Sequence, residues 1–188
     1  MLKRYPQKIA HYNKLLPLVD YLVPLIEDKK EASILDVASG PYPVIGQLLD
    51  GVNLTVRYCD QQDFKYFWDK WNATPIFKVE VENMEKLSYP DESFDVVHCL
   101  NALDHTRNAE QALKELIRVC KKGGWVYIDC ALIQHTNRGH NHHWDALEAG
   151  GFENENGYFD LKDYGFDITF IDNGGERQFN HVIAKLKK

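Results

Sequence analysis

Three groups of residues in this 188-residue chain have the types and spacing to do chemistry. The first is Asp36-Val37-Ala38-Ser39-Gly40, which closes an apolar run containing Ile34, Leu35 and Val37. Small residues there let backbone amides approach a ligand that any larger Cβ would hold away. The second is Asp60, which follows the strand-like run Val52 to Cys59. A carboxylate at the end of a second strand can accept from both hydroxyls of a ribose, although a capping aspartate is the plainer structural reading. The third is a set of histidines. His105 follows another strand-like run, and His135, His140, His142 and His143 share one polar loop. Imidazole takes or gives a proton near neutral pH, which makes His105, His140 and His143 the candidate general bases. The structural alternatives are a capping role for His105 and a solvated loop for the others. His140-Asn141-His142 brings two imidazoles together. Without a Cys pair or helical H-x-x-x-H spacing, no metal site is expected.

The elements that must position these groups follow from periodicity. The apolar run at 34–37, the small-residue turn, and a helix-like run from Val44 to Leu49 form a strand–turn–helix unit. Strands are expected at 52–59, 76–81, 94–100 and 125–130, and two more at 166–171 and 179–186 form a hairpin around Asn173-Gly174-Gly175. Residues 63–71 form a short aromatic helix with Phe64, Phe67, Trp68 and Trp71 on one side. Ala109, Ala112, Leu113, Leu116, Ile117 and Cys120 mark an amphipathic helix, with Gly123-Gly124 as its C-terminal stop. A short helix is expected at 144–149. Residues 1–30 read as a helical cover interrupted by Pro17 and Pro24.

A dinucleotide-binding G-x-G-x-x-G is absent at the first turn, which disfavours a nicotinamide-dependent oxidoreductase. The stretch Asp36-Val37-Ala38-Ser39-Gly40 instead resembles the first motif of class I S-adenosylmethionine-dependent methyltransferases, with Ala38 and Tyr42 where glycines are usual. Three further runs resemble the same family in order. They are Glu82 to Val97, then Leu103-Asp104-His105, then Leu113 to Ile128, which looks like L-x-E-x-x-R-V-L-K-P-G-G-x-x-x-I. The resemblance implies a Rossmann-like α/β fold: a doubly wound seven-stranded sheet with an antiparallel last strand and helices on both faces. It implies S-adenosylmethionine as cofactor, held by Asp36, Ala38, Ser39, Gly40, Asp60, Gln61, Asn83, Met84, Leu100 and Asn101. Asp36 is expected near the methionine moiety, Asp60 at the ribose, and Asn83 and Met84 at the adenine. The loop after the fifth strand is expected over the acceptor pocket. A non-catalytic module that keeps the fold remains the alternative, because Ala38 and Tyr42 would narrow the turn.

Composition bounds the rest. Length suits one domain over 1–188, with 31–188 as its core. A net charge of −6 argues against a broad nucleic-acid surface, and a length that leaves no separate substrate domain favours a small-molecule or saccharide acceptor. No run is apolar enough for a membrane span, and Met1 to Pro6 precedes no signal-like segment, so a cytoplasmic location is expected. Cys59, Cys99, Cys120 and Cys130 lack C-x-x-C spacing and read as reduced, half-buried residues. The sequence carries no indication of oligomeric state.

Overall fold

The computed structural model describes residues 15–70, 74–132, 143–155, 157–172 and 180–188. Its strands are β1 (Glu31–Val37), β2 (Asn53–Asp60), β3 (Val79–Val81), β4 (Phe94–Leu100), β5 (Cys120–Ala131), β6 (Asp145–Ala146), β7 (Gly151–Asn154), β8 (Gly157–Asp160), β9 (Asp167–Ile171) and β10 (His181–Lys187). Two α-helices are described, α1 (Lys65–Lys70) and α2 (Ala109–Val119). Seven strands form one sheet in the order β3-β2-β1-β4-β5-β10-β9. The first five run parallel, whereas β10 is antiparallel to both β5 and β9. The sheet and its antiparallel last strand are those expected from the sequence.

β1 and β4 lie at the centre and are buried on both faces, which is why apolar residues stand side by side in them, Ile34-Leu35 and Val96-Val97, rather than alternating. On one face, Leu113 and Leu116 of α2 pack with Leu35, Val97, Val126 and Ile128. On the other, Leu18, Leu22 and Ile26 pack with Ile34, Tyr58, Val96 and Tyr127. α1 joins this second side through Trp68, which meets Phe77 edge-on beside Tyr58. The chain goes outward from β1 to β2 and β3, then returns to place β4 on the opposite side of β1. That reversal opens a crevice at the carboxyl ends of the strands.

Several local expectations fail for physical reasons. The helix at 44–49 does not form. The amides of Gln47 and Leu48 both donate to the Leu16 carbonyl, at 2.8 and 3.0 Å, and Leu18 donates back to Leu48. Gly46 permits this approach, since a Cβ there would lie 1.8 Å from the Pro17 carbonyl oxygen. Within 15–28 the chain forms turns and a single 3-10 turn, Val23–Leu25, rather than a kinked helix. The helix expected at 144–149 is replaced by β6 and a turn, and β6, β7 and β8 make a separate antiparallel sheet. Gly123-Gly124 does not cap α2, which ends at Val119 and passes directly into extended backbone at Cys120. All four cysteines are free and buried rather than half-buried. Among the described residues no helix is long and apolar enough to cross a membrane.

At the amino end of β4, Asp95 gathers charge. Its carboxylate accepts from the Ser33 amide at 2.9 Å, the Ser33 hydroxyl at 2.7 Å and Lys121 Nζ at 2.8 Å, and pairs with Lys29 at 3.2 Å. Burial alone would raise this carboxyl; hydrogen bonds from Lys121, Ser33 and Lys29 outweigh it and hold the group well below the usual carboxylate range. The stabilisation is therefore present above the unfolded carboxylate range near pH 4 and is lost as pH falls below it. Asp95→Asn is expected to cost about 1–3 kcal/mol at pH 7. It should also flatten the acid limb of stability, measured by urea unfolding between pH 7 and pH 3.

Candidate active site

A cavity of about 720 Å³ opens at the carboxyl ends of β1, β2 and β4. That volume suits a ligand of nucleoside size or larger. The turn after β1 forms its floor. Ala38 sits at φ +56° and Gly40 at φ +65°. The conformation persists because the Ser39 amide donates to the Cys59 carbonyl at 3.0 Å and the Gly40 amide to Asp60 Oδ2 at 3.1 Å. The other oxygen of Asp60 accepts from the Gln62 amide at 2.9 Å. One carboxylate thus joins the tips of β1 and β2 while lining the cavity. A Cβ added at Gly40 would meet nothing within 4 Å, so space above the turn is open.

Asn101 ends β4 at φ +49°, a region that asparagine tolerates better than most residues. Its amide donates to the Asp129 carbonyl at 2.7 Å, and its Oδ1 accepts from the Ala131 amide at 2.6 Å. The opposite wall is the stretch after β3. Asn83 Oδ1 accepts from the Glu85 amide at 2.9 Å, and the Lys86 amide returns to the Asn83 carbonyl. Glu115 and Arg118 of α2 clamp that wall. Glu115 accepts from the Leu87 amide at 2.8 Å, while Arg118 donates to the carbonyls of Leu87 and Tyr89 at 2.9 and 2.8 Å. Glu85 caps the far side, accepting from the Arg107 and Asn108 amides at 2.7 and 3.2 Å. These three residues hold that wall in place, and motif reading alone assigned them nothing. The signal for two of them lay in the E-x-x-R spacing, which puts Glu115 and Arg118 on one face of α2.

Of the expected site residues, Ala38, Asp60, Gln61 and Asn83 line the cavity, as do Met84, Asn101, His105 and His143. His143 reaches it because its amide donates to the Asp104 carbonyl at 2.9 Å. Cys59 is also on the wall, and burial pushes its thiol up to about 12, which keeps it protonated. Ser39, Gly40 and Leu100 lie beside the cavity without lining it. His140 falls outside the described residues. Asp36 points elsewhere, for it is 2% exposed and holds His98 Nδ1 at 2.7 Å. Its second oxygen is buried with no hydrogen-bond partner among the described residues. The Tyr42 ring packs edge-on to Phe67 and Trp68 rather than into the cavity.

Comparisons with known proteins agree with this fold. A model of the methyltransferase domain family matches residues 35–128, half of the chain. Probable methyltransferase PMT22 of Arabidopsis thaliana is 26% identical over 153 residues, covering 78% of this chain and 24% of that protein. Sterol 24-C-methyltransferase erg-4 of Neurospora crassa is 27% identical across 93% of this chain and 50% of its own length. The chain therefore spans half or less of the length of these curated relatives. In fold it is similar to a solved SAM-dependent methyltransferase from Methanosarcina mazei, with a TM-score of 0.54 at 14% identity over 92% of this chain and 99% of that one. This fold and family imply S-adenosylmethionine as the cofactor. On its cavity, its sheet order and the family match, the chain belongs to the methyltransferase domain family.

Proposed function

We propose that this chain, read as one domain, transfers a methyl group from S-adenosylmethionine to a small-molecule or glycan-type acceptor. The observation that carries the reading is Asp60, whose carboxylate lines the cavity beside a left-handed turn open above Gly40. Each carboxylate oxygen has two lone pairs, so the bonds from Gly40 and Gln62 leave acceptor capacity for ribose hydroxyls. Asn83 and Met84 stand at the opposite wall for the adenine, and Ala38 and Asn101 lie toward the methionine end. The cofactor supplies a methyl carbon already activated on a sulfonium, for in-line displacement by the acceptor. The chain's residues then have to position that acceptor and exclude water. Where the nucleophile is a hydroxyl or amine, a histidine at the carboxyl edge of the sheet takes its proton, and His105 and His143 line the cavity there. The Neurospora relative is named for a sterol substrate, which agrees with a small acceptor.

A non-catalytic role drew its support from Ala38 and Tyr42. Ala38 adopts the positive φ of the turn, and Tyr42 packs on Phe67 and Trp68 outside the cavity lining, which favours an open site. Methyl transfer is tested with tritiated-methyl S-adenosylmethionine against a panel of phenols, amines, sterols and saccharides. Label in an extracted product supports the reading, and none from a folded protein counts against it.

Two variants probe the turn. Asp60→Ala is expected to weaken S-adenosylhomocysteine binding about 10- to 100-fold, the loss of charge-assisted hydrogen bonds, in a protein whose circular dichroism is unchanged. Ala38→Gly removes an alanine from a left-handed conformation. It should raise stability by about 0.5–1 kcal/mol in thermal unfolding and leave donor binding intact.

A further inference from the structure

Arg107 lines the cavity and has no part in holding the donor as proposed above. Among the described lining residues it is the one arginine or lysine, set against three carboxylates, Asp60, Glu82 and Glu85. Each carboxylate is already engaged. Asp60 holds the Gly40 and Gln62 amides, and Glu82 accepts from the Ser88 amide at 3.0 Å and from its hydroxyl. Glu85 accepts from the amides of Arg107 and Asn108. The Arg107 guanidinium, by contrast, is exposed and makes no hydrogen bond, ion pair or ring contact with any described residue. A guanidinium stays charged at any working pH, and its planar fork of donors matches a carboxylate or a phosphate.

The backbone beneath this free head is fixed from three sides. Glu85 takes the Arg107 amide at 2.7 Å, Trp144 Nε1 donates to the Arg107 carbonyl at 3.4 Å, and Asn108 caps α2 by accepting from the Gln111 amide at 3.0 Å. The same contacts bring His143 to this rim. Its amide and that of Trp144 donate to the Asp104 carbonyl at 2.9 and 3.1 Å, and Asn154 of β7 donates to the His143 carbonyl at 3.1 Å. Trp144 is held edge-on by Phe159 of β8, so the small sheet braces the rim. The His143 ring is exposed, lines the cavity and likewise has no partner among the described residues. In the proposed orientation the donor's methionine end lies toward Ala38 and Asn101, whereas Arg107 is tied to Glu85, next to Met84. The donor's own carboxylate is therefore not the anion this guanidinium serves.

We propose that the acceptor carries an anionic group, a carboxylate or a phosphate, which the Arg107 guanidinium receives with the His143 ring beside it. This assignment rests on the methyl-transfer reading and narrows its acceptor to small anions. Charge-assisted hydrogen bonds from a guanidinium are strong and directional, so they hold the acceptor at a point away from its reacting atom and orient it toward the donor.

The test uses the full chain loaded with S-adenosylhomocysteine. The Nε–Hε resonance of Arg107 is identified by its loss in Arg107→Gln. Titration with benzoate and with inorganic phosphate should shift it saturably, the tighter of the two telling carboxylate from phosphate, and neutral benzamide should leave it in place. In methyl transfer, 3,4-dihydroxybenzoate should exceed catechol, or O-phosphoethanolamine exceed ethanolamine, by about 10- to 100-fold in kcat/KM. Arg107→Gln should abolish that preference through KM while S-adenosylhomocysteine affinity stays within about twofold of the parent, and Arg107→Lys should restore part of it. An Arg107 resonance that neither anion shifts, or a neutral acceptor preferred in both pairs, overturns the assignment and leaves the donor site standing. Loss of S-adenosylhomocysteine affinity in Arg107→Gln overturns it as well, by giving the guanidinium to the donor's carboxylate. Where neither pair is turned over, the titration decides alone. A parent protein that binds no S-adenosylhomocysteine defeats the methyl-transfer reading instead, and titration of the unloaded chain still decides whether Arg107 receives an anion.

Discussion

The site depends on one contact, the Asp60 carboxylate receiving the amide of Gly40. β1 and β2 run parallel in register up to Val37 opposite Cys59, and beyond that point the sheet ladder no longer fixes the chain. Ser39 bonded to the Cys59 carbonyl and Gly40 bonded to Asp60 extend the join to three residues past Val37. Those bonds hold Ala38 in a left-handed conformation that an L-residue otherwise avoids at a cost of roughly 1 kcal/mol. The same carboxylate lines the cavity, so the group that shapes the turn is also the one offered to a ligand. In the proposed reading, strain and recognition are thereby coupled at a single residue.

The rest of the molecule holds the two walls around that floor. Glu115 and Arg118 reach from α2 to the chain after β3, which converts the packing of one helix into the position of Asn83 and Met84. On the second face a row of polar side chains, Tyr58, Asp36, His98 and Tyr127, crosses four adjacent strands in register. Tyr21 covers it by stacking on Tyr127 at 5.0 Å and on His98 at 5.8 Å. Buried groups of this kind are tolerable when hydrogen-bonded, and the Asp36–His98–Tyr21 chain supplies most of those bonds. Asp36 thus ties the first motif to the segment preceding β1, a task different from facing the cavity.

What the sequence made legible follows the range of the interactions involved. Buried parallel strands advertise themselves as apolar runs, and β4 has the expected bounds of 94–100. Asp60, Asn83 and Asn101 could be read as cavity-lining positions because each stands at or just beyond the end of a strand, where the fold class opens its crevice. The helix expected at 44–49 was wrong because periodicity does not register a partner thirty residues away. The amides of Gln47 and Leu48 are taken by Leu16, and Pro43 and Gly46 weaken any competing helix. The helix expected at 144–149 was wrong, and β7 and β8 went unread, for a similar reason, since β6, β7 and β8 are too short to show alternation.

The central claim is that the crevice between β1 and β4 holds an adenosyl cofactor. Calorimetric titration of the folded chain with S-adenosylhomocysteine tests it most directly. One-to-one binding with a Kd in the micromolar range, unaffected by a nicotinamide dinucleotide competitor, is the predicted result. Absence of binding, or displacement by the dinucleotide, would contradict the account.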